Sequence, residues 1–414
     1  MSNPSGISLD PWFDNYAERA SGLTASEVRA LFAVANRPEV VSLAGGMPFV
    51  AALPFDDVTK TVQRVLGTTG PQALQYGSGQ GLPELREHIM EIMALEGIRA
   101  GVDDIVVTTG SQQGLDLISK LFINPGDAIL AESPSYVGAM GVFRSYQARV
   151  EHVAMDDEGM IPQSLREHIS TLRSQNVPIK FLYLIPNFQN PAGVTLSAAR
   201  RLEILDIAQA EGILVVEDNP YGLLWFDKPP PHAIRSADDA GVIYLGSFSK
   251  TFAPGLRVGW VVAPHGIREK LVLASEAAIL SPSSFSQMIL AEYFGTHDWK
   301  GQIDTFRGLY QDRRDSMVNA LAHYAPEIPH TTPTGGFYLW LTLPEGLDSK
   351  EMLPRAVKEL VAYTPGTAFY ANGDGRANLR LAFCYPEPSF IEEGIKRLSR
   401  VISEELELLA TFGP

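Results

Sequence analysis

The apolar positions of this chain follow two rhythms. Short runs dense in apolar and β-branched residues, "DIVVTTG" (104–110), "DAILAES" (127–133), "KFLYLIPN" (180–187), "GILVVEDN" (212–219), "GVIYLGS" (241–247) and "RVGWVVAP" (257–264), show no polar alternation. Between them lie longer amphipathic stretches such as "SQQGLDLISKLF" (111–122) and "SAARRLEILDIAQAEG" (197–212). Runs without alternation are strands buried on both faces, and alternation of such strands with helices predicts an α/β domain with a mainly parallel central sheet flanked by helices. Its connections are expected to be right-handed crossovers, mostly helical, with ligands bound beyond the strand C-terminal ends. After about residue 290 the rhythm changes. One long helix over 291–324, a strand pair around "GGFYLWLTLP" and "NLRLAFCYP", and a terminal helix over 389–412 predict a smaller α+β domain. The expected organisation is an N-terminal arm and helix over 1–50, a large domain over 51–300 and a small C-terminal domain over 301–414.

A length of 414 residues with 45% hydrophobic content suits two domains with a substantial core. A net charge of −15 would repel a phosphate backbone, and no basic block offsets it, so nucleic acid is not an expected partner. The single cysteine, Cys384, excludes an internal disulfide, and the eight histidines form neither HExxH nor a zinc-spaced cluster. No apolar run approaches membrane-spanning length, and the first residues carry no basic leader with an apolar core. These features lead us to expect a soluble cytoplasmic protein without a structural metal.

Candidate chemistry gathers at the predicted strand ends. Gly110, Ser111 and Gln112 open a helix, where unpaired N–H groups and the helix dipole favour an anion such as phosphate; the plainer reading is an N-cap at Ser111. Arg257, which follows Lys250 by seven positions, could add a charge-assisted fork. "YGSGQGLPEL" lacks the dinucleotide spacing, so a nucleotide is not the favoured phosphate ligand. Asp218 ends a buried run, where a carboxylate is costly unless paired; the alternative is a cap on the turn "DNPYG". Lys250 stands in "GSFSKTFAPGLRVGW" (246–260) on the same rim. A phosphate turn, a buried carboxylate and an amine are together what pyridoxal phosphate requires: the amine forms the Schiff base and the carboxylate keeps the pyridine nitrogen protonated.

With "VVSLAGGMP", "LQYGSGQGLPELRE", "TTGSQQGLDLISKLF", "AESPSYVGAM", "FLYLIPNFQNPAG" and "VVEDNPYG" in order along the chain, the sequence resembles the fold-type I pyridoxal-phosphate aminotransferases, most closely the 2-aminoadipate and kynurenine aminotransferase subgroup. That resemblance implies transfer of an amino group from an L-amino acid (2-aminoadipate, glutamate, aromatic or branched-chain) to a 2-oxo acid such as 2-oxoglutarate, by a ping-pong route. It gives Lys250 the covalent and proton-shuttling role and pairs Asp218 with the pyridine N–H. Asn190 and Tyr221 would bond the ring oxygen, and Tyr136 would stack on the ring. Ser111, Gln112, Ser247, Ser249 and Arg257 would bind the phosphate. A homodimer is implied, with Tyr76 of the partner subunit reaching the phosphate. Arg380, with the Gly45 backbone, would take the substrate α-carboxylate. In "LTASEVRALF", Thr24 and Glu27 form a capping box with a Leu23–Val28 staple, which predicts a helix from Thr24 that sets Arg29 about one turn in. The resemblance implies that Arg29 can recognise a side-chain carboxylate; the plain alternative is a solvated helix face. Ala192 departs from the family's usual threonine. The same scaffold also carries lyases, racemases, decarboxylases and effector-sensing domains of transcription regulators, so the motifs favour the cofactor more strongly than the bond broken.

Overall fold

In a computed structural model of the chain, residues 10, 12–23, 37 and 39–412 are described. All six predicted runs are strands of one sheet: β2 (Ile105–Thr108), β3 (Ala128–Ser133), β6 (Ile179–Leu184), β7 (Leu214–Asp218), β8 (Val242–Ser247) and β9 (Gly259–Val262). Two further strands, β4 (Arg149–Asp156) and β5 (Gly159–Met160), complete the order β2-β9-β8-β7-β6-β3-β4-β5. The reading of apolar runs passed over β4 because "RVEHVAMD" is charged and only half buried, as befits a strand near the sheet edge.

Pairing is parallel from β4 through β3, β6 and β7 to β8, while β9 runs antiparallel to both β8 and β2. The expectation of crossovers throughout therefore fails at one point. The connection 248–258 between β8 and β9 is a loop with one short 3-10 turn (Pro254–Leu256) rather than a crossover helix, so both of its ends lie on the rim where the parallel strands finish. Side chains of the central strands pack on both faces. Ala128, Leu130, Leu182 and Val215 meet the layer that contains Leu165 and Ile204, while Ile129, Phe181 and Val216 enter the larger core on the opposite face. Double-sided burial of this kind explains the missing alternation.

The helix Ala198–Glu211 starts and stops where its sequence says, with Ser197 Oγ accepting from Arg200 N–H (3.4 Å) and Gly212 in the left-handed region beyond its end. The single helix expected over 291–324 is two, Ser284–Thr296 and Trp299–Tyr324. Asp298 makes the break, its carboxylate accepting from Gly301 N–H at 3.0 Å to cap the second helix. A second sheet contains β10 (Tyr338–Thr342), β12 (Thr364–Pro365) and β13 (Asn378–Ala382), with β13 antiparallel to both neighbours. The terminal helix Pro388–Phe412 lies against Trp299–Tyr324, and a short parallel pairing of β1 (Val41–Ser42) with β11 (Val361–Ala362) ties the N-terminal segment to this unit. The helix predicted from Thr24 lies outside the described residues. No helix among the described residues is long and apolar enough to cross a membrane.

Candidate active site

The rim of the large sheet and β13 of the small one enclose a cavity of about 320 Å³. Its wall includes Ser111, Gln112, Tyr136, Asn190, Asp218, Tyr221, Ser247, Ser249, Lys250, Arg257 and Arg380. Eleven residues nominated from separate stretches of sequence thus converge on one hollow, of a size that fits a small ligand.

Each is placed by its element. β2 ends at Thr108, and the turn after it needs φ +91° at Gly110, where a side chain would be strained. The helix Ser111–Phe122 then begins, with Gly110 rather than Ser111 in the capping position, so the N-cap alternative for Ser111 does not hold. Opposite, Gly259 on β9 lies so close that a Cβ there would sit 2.7 Å from Gly110 C and Ser111 N. This close-packed glycine cradle turns the free N–H groups of a helix end toward the cavity. Arg257 follows on the connection 248–258; its Nη2 donates to Thr109 O (3.0 Å), which holds the guanidinium beside the same helix end. Ser247 Oγ accepts from Ser249 N–H (3.1 Å), which fixes the Ser247 hydroxyl at the start of the connection that carries Lys250. Gln112 accepts at 3.3 Å from the Tyr136 hydroxyl and donates to Gly138 O (2.9 Å).

Asp218 is the last residue of β7 and is buried. Oδ2 accepts from the Tyr183 hydroxyl (2.8 Å), while Oδ1 is buried with no hydrogen-bond partner. Burial pushes the carboxyl up to about 7, and the Tyr183 bond pulls weakly against that. The turn-capping alternative is not realised, since neither oxygen bonds the following turn. Lys250 Nζ donates to Gly46 O (3.0 Å) and lies 5.6 Å from the Phe337 ring centroid. Arg380, buried on β13, is held between Tyr338 and Phe369, whose ring centroids are 4.2 Å and 4.9 Å from its Cζ. Nη1 donates to Asn190 Oδ1 (2.9 Å) and Nη2 to Ala44 O (2.6 Å), while Nε has no partner. Tyr221 and Tyr338 bring their hydroxyls to 3.5 Å.

Three nominated residues stand apart. Gly45 does not line the cavity; its neighbour Gly46 does, and the Gly45 carbonyl faces Cys384 Sγ at 3.9 Å. Tyr76 is 77% exposed, away from the cavity of its own chain. Arg29 lies outside the described residues. Sequence reasoning missed Tyr183, Tyr338 and Glu132. Glu132 is fully buried, is pushed up to about 8 by burial, and accepts from Ile185 N–H (2.9 Å) and Gln189 Nε2 (3.3 Å). Gln189 also accepts from Ala192 N–H (2.7 Å), so this carboxyl braces the turn that carries Asn190. The available signal was a charged residue inside the otherwise apolar run "DAILAES".

The residues fit pyridoxal phosphate on two counts. Asp218 Oδ1 lacks the partner that a ring N–H would supply, and Ser111 and Gln112, at the helix end packed against Gly259, line the cavity beside Arg257, an arrangement of the kind that takes a phosphate.

Comparison with known proteins agrees. The family model "Aminotransferase class I and II" matches residues 38–398. The chain is 42% identical to an aromatic-amino-acid aminotransferase 1 of Thermococcus litoralis, over 95% of each chain. It is 36% identical to a 2-aminoadipate transaminase of Thermus thermophilus, over 96% of this chain and 99% of the other. A crystal structure of the Pyrococcus horikoshii kynurenine aminotransferase in complex with PMP superposes with a TM-score of 0.90, at 40% identity, covering 94% of this chain and 97% of that one. The chain belongs to the class I and II aminotransferases and is a pyridoxal-phosphate-dependent transaminase.

Proposed function

We propose that the enzyme accepts an L-amino acid of the 2-aminoadipate, glutamate, aromatic or branched-chain type and passes its amino group to 2-oxoglutarate by a ping-pong route, as a cytoplasmic homodimer. One observation carries the reading: Asp218 Oδ1, buried and without a partner, lines the same cavity as the Lys250 amine and the buried Arg380 fork. The aromatic-amino-acid and 2-aminoadipate transaminases among its relatives set the range of donors considered. In this reading 1–50 form an arm, 51–300 the large domain and 301–414 the small one.

Pyridoxal phosphate, when bound, supplies an electron sink for the pair left at the substrate Cα. Asp218 Oδ1 would accept the ring N–H, whose positive charge would draw the carboxyl into its ionised form. Asn190 and Tyr221 would hold the ring oxygen, and Tyr136 would pack against the ring. Ser111, Gln112, Ser247, Ser249 and Arg257 would hold the phosphate, joined by Tyr76 of the partner subunit. Arg380, immobilised between two rings, holds the substrate α-carboxylate in plane beside the Gly45–Gly46 backbone. Lys250, restrained by one hydrogen bond to Gly46 O, is free to leave it and carry the proton from Cα. Arg29 would meet a side-chain carboxylate.

The test is an absorption spectrum of the holoenzyme with excess L-glutamate or L-2-aminoadipate, followed by 2-oxoglutarate. Conversion of the cofactor band to that of the amine form, and its return with the oxo acid, is the expected result. A band that no amino acid changes would overturn the proposed donors and acceptor.

A further inference from the structure

A second cavity, of about 370 Å³, lies outside the catalytic one. It opens between the loop that follows β7 and the first turns of the helix Trp299–Tyr324. Glu96 forms part of its wall and is only 9% exposed. Its carboxyl is half satisfied. Oε2 accepts from Asn219 Nδ2 (2.7 Å) and from the Tyr244 hydroxyl, whereas Oε1 accepts nothing among the described residues. Gly222, also in the wall, lies directly against that oxygen, for a Cβ there would stand 2.1 Å from it. Burial pushes Glu96 up to about 7, so a carboxylate here gains from a positive donor.

The remaining wall is apolar and aromatic, led by Trp225, Trp299 and Ile303. Arg307 on the rim is already satisfied. It lies 3.9 Å from the Trp225 ring centroid, donates to Leu223 O and pairs with Asp304 at 2.5 Å. Lys300, exposed on the same rim, has no carboxylate within ion-pair distance among the described residues. A buried acceptor at one end and an otherwise apolar, aromatic wall are the requirements for an ammonium group on an apolar body.

We infer that this cavity is a binding site, separate from the catalytic one, for a small apolar ammonium compound whose charged head bonds Glu96 Oε1. The compound is either a free amine or an apolar amino acid whose carboxylate reaches Lys300. Asn219, which bonds Glu96, is the residue after Asp218, so an occupant would bear on the end of β7.

The experiment uses the holoenzyme in its pyridoxamine form, in which the cofactor cannot condense with an added amine. 2-Phenylethylamine and L-phenylalanine are titrated by calorimetry and by tryptophan fluorescence, since Trp225 and Trp299 line the site. At least one probe should bind, and Glu96→Gln should weaken it tenfold or more. Ile303→Trp, which fills the cavity and leaves Glu96 in place, should do the same and decides the matter should Glu96→Gln fail to fold. Lys300→Ala weakening L-phenylalanine but not 2-phenylethylamine would identify an amino acid as the occupant; an unchanged affinity for both probes would identify a free amine. Binding that neither cavity variant changes would locate the probe in the catalytic site and overturn the inference, as would no binding of either probe at millimolar concentration.

Discussion

Glu217 and Asp218 are neighbours on β7, both buried, yet they end in opposite situations. The Glu217 carboxylate accepts Ile234 N–H (2.9 Å) and Arg235 N–H (2.8 Å), one on each oxygen, and Arg201 and Arg235 add favourable charge. Asp218, one residue on and on the other face of the strand, has a phenol on one oxygen and nothing on the other. Burial raises both carboxyls. The difference teaches that burial alone does not mark a functional acid. What separates Glu217 from Asp218 is an unmet bond at a cavity wall, and a buried acceptor without a donor calls for a ligand that supplies one.

The comparison breaks if the two residues fail the same way on substitution. Asp218→Asn should lower kcat by about 10²–10³-fold, with the melting temperature of the cofactor-free protein unchanged or raised. Steady-state rates beside a thermal melt check both. Tyr183→Phe removes the one bond that favours the ionised form of Asp218, and should lower kcat about tenfold without altering KM for the oxo acid. Glu217→Gln should show the reverse pattern. One backbone N–H loses its acceptor, stability falls by about 1–3 kcal/mol, and kcat per folded molecule stays within about twofold. Equal loss of turnover in Glu217→Gln and Asp218→Asn would end the distinction.

A smaller effect concerns pH. In the cofactor-free protein Asp218, Glu96 and Glu132 stand at about 7, 7 and 8, above their ordinary values. The folded state therefore binds more protons than the unfolded one between pH 4 and 8. The stability these groups contribute is complete below pH 4 and is lost as pH rises through 7 to 8. Denaturant titrations at pH 5 and 8 should show this fall, and bound cofactor should flatten it, because a ring N–H opposite Asp218 favours the ionised form. An identical slope with and without cofactor would contradict the pairing.

Much of this was legible in the chain. Buried strands announced themselves as apolar runs, and the residues at their ends were legible because parallel sheets gather strand ends on one rim. The supporting layer was not. Tyr183 sits inside an apolar run, where nothing local distinguishes a residue that braces the site from one that fills the core, and the one signal for Glu132, a charge within such a run, does not say what it braces. Tyr338 comes from the second sheet, so its approach to Arg380 and Tyr221 depends on how two distant segments pack. The reversal at β9 was hidden because antiparallel and parallel strands buried on both faces read alike.

That reversal has a consequence for how the gene can change. Lys250 and Arg257 hang on one connection, and both of its ends are locked into one rung of the same ladder, with Ser247 opposite Gly259. Each inserted residue adds up to about 3.5 Å of chain with no strand free to slide and absorb it. Length here is under stricter constraint than composition: substitutions can be accommodated within 248–258, while insertions and deletions would separate the amine from the anion site.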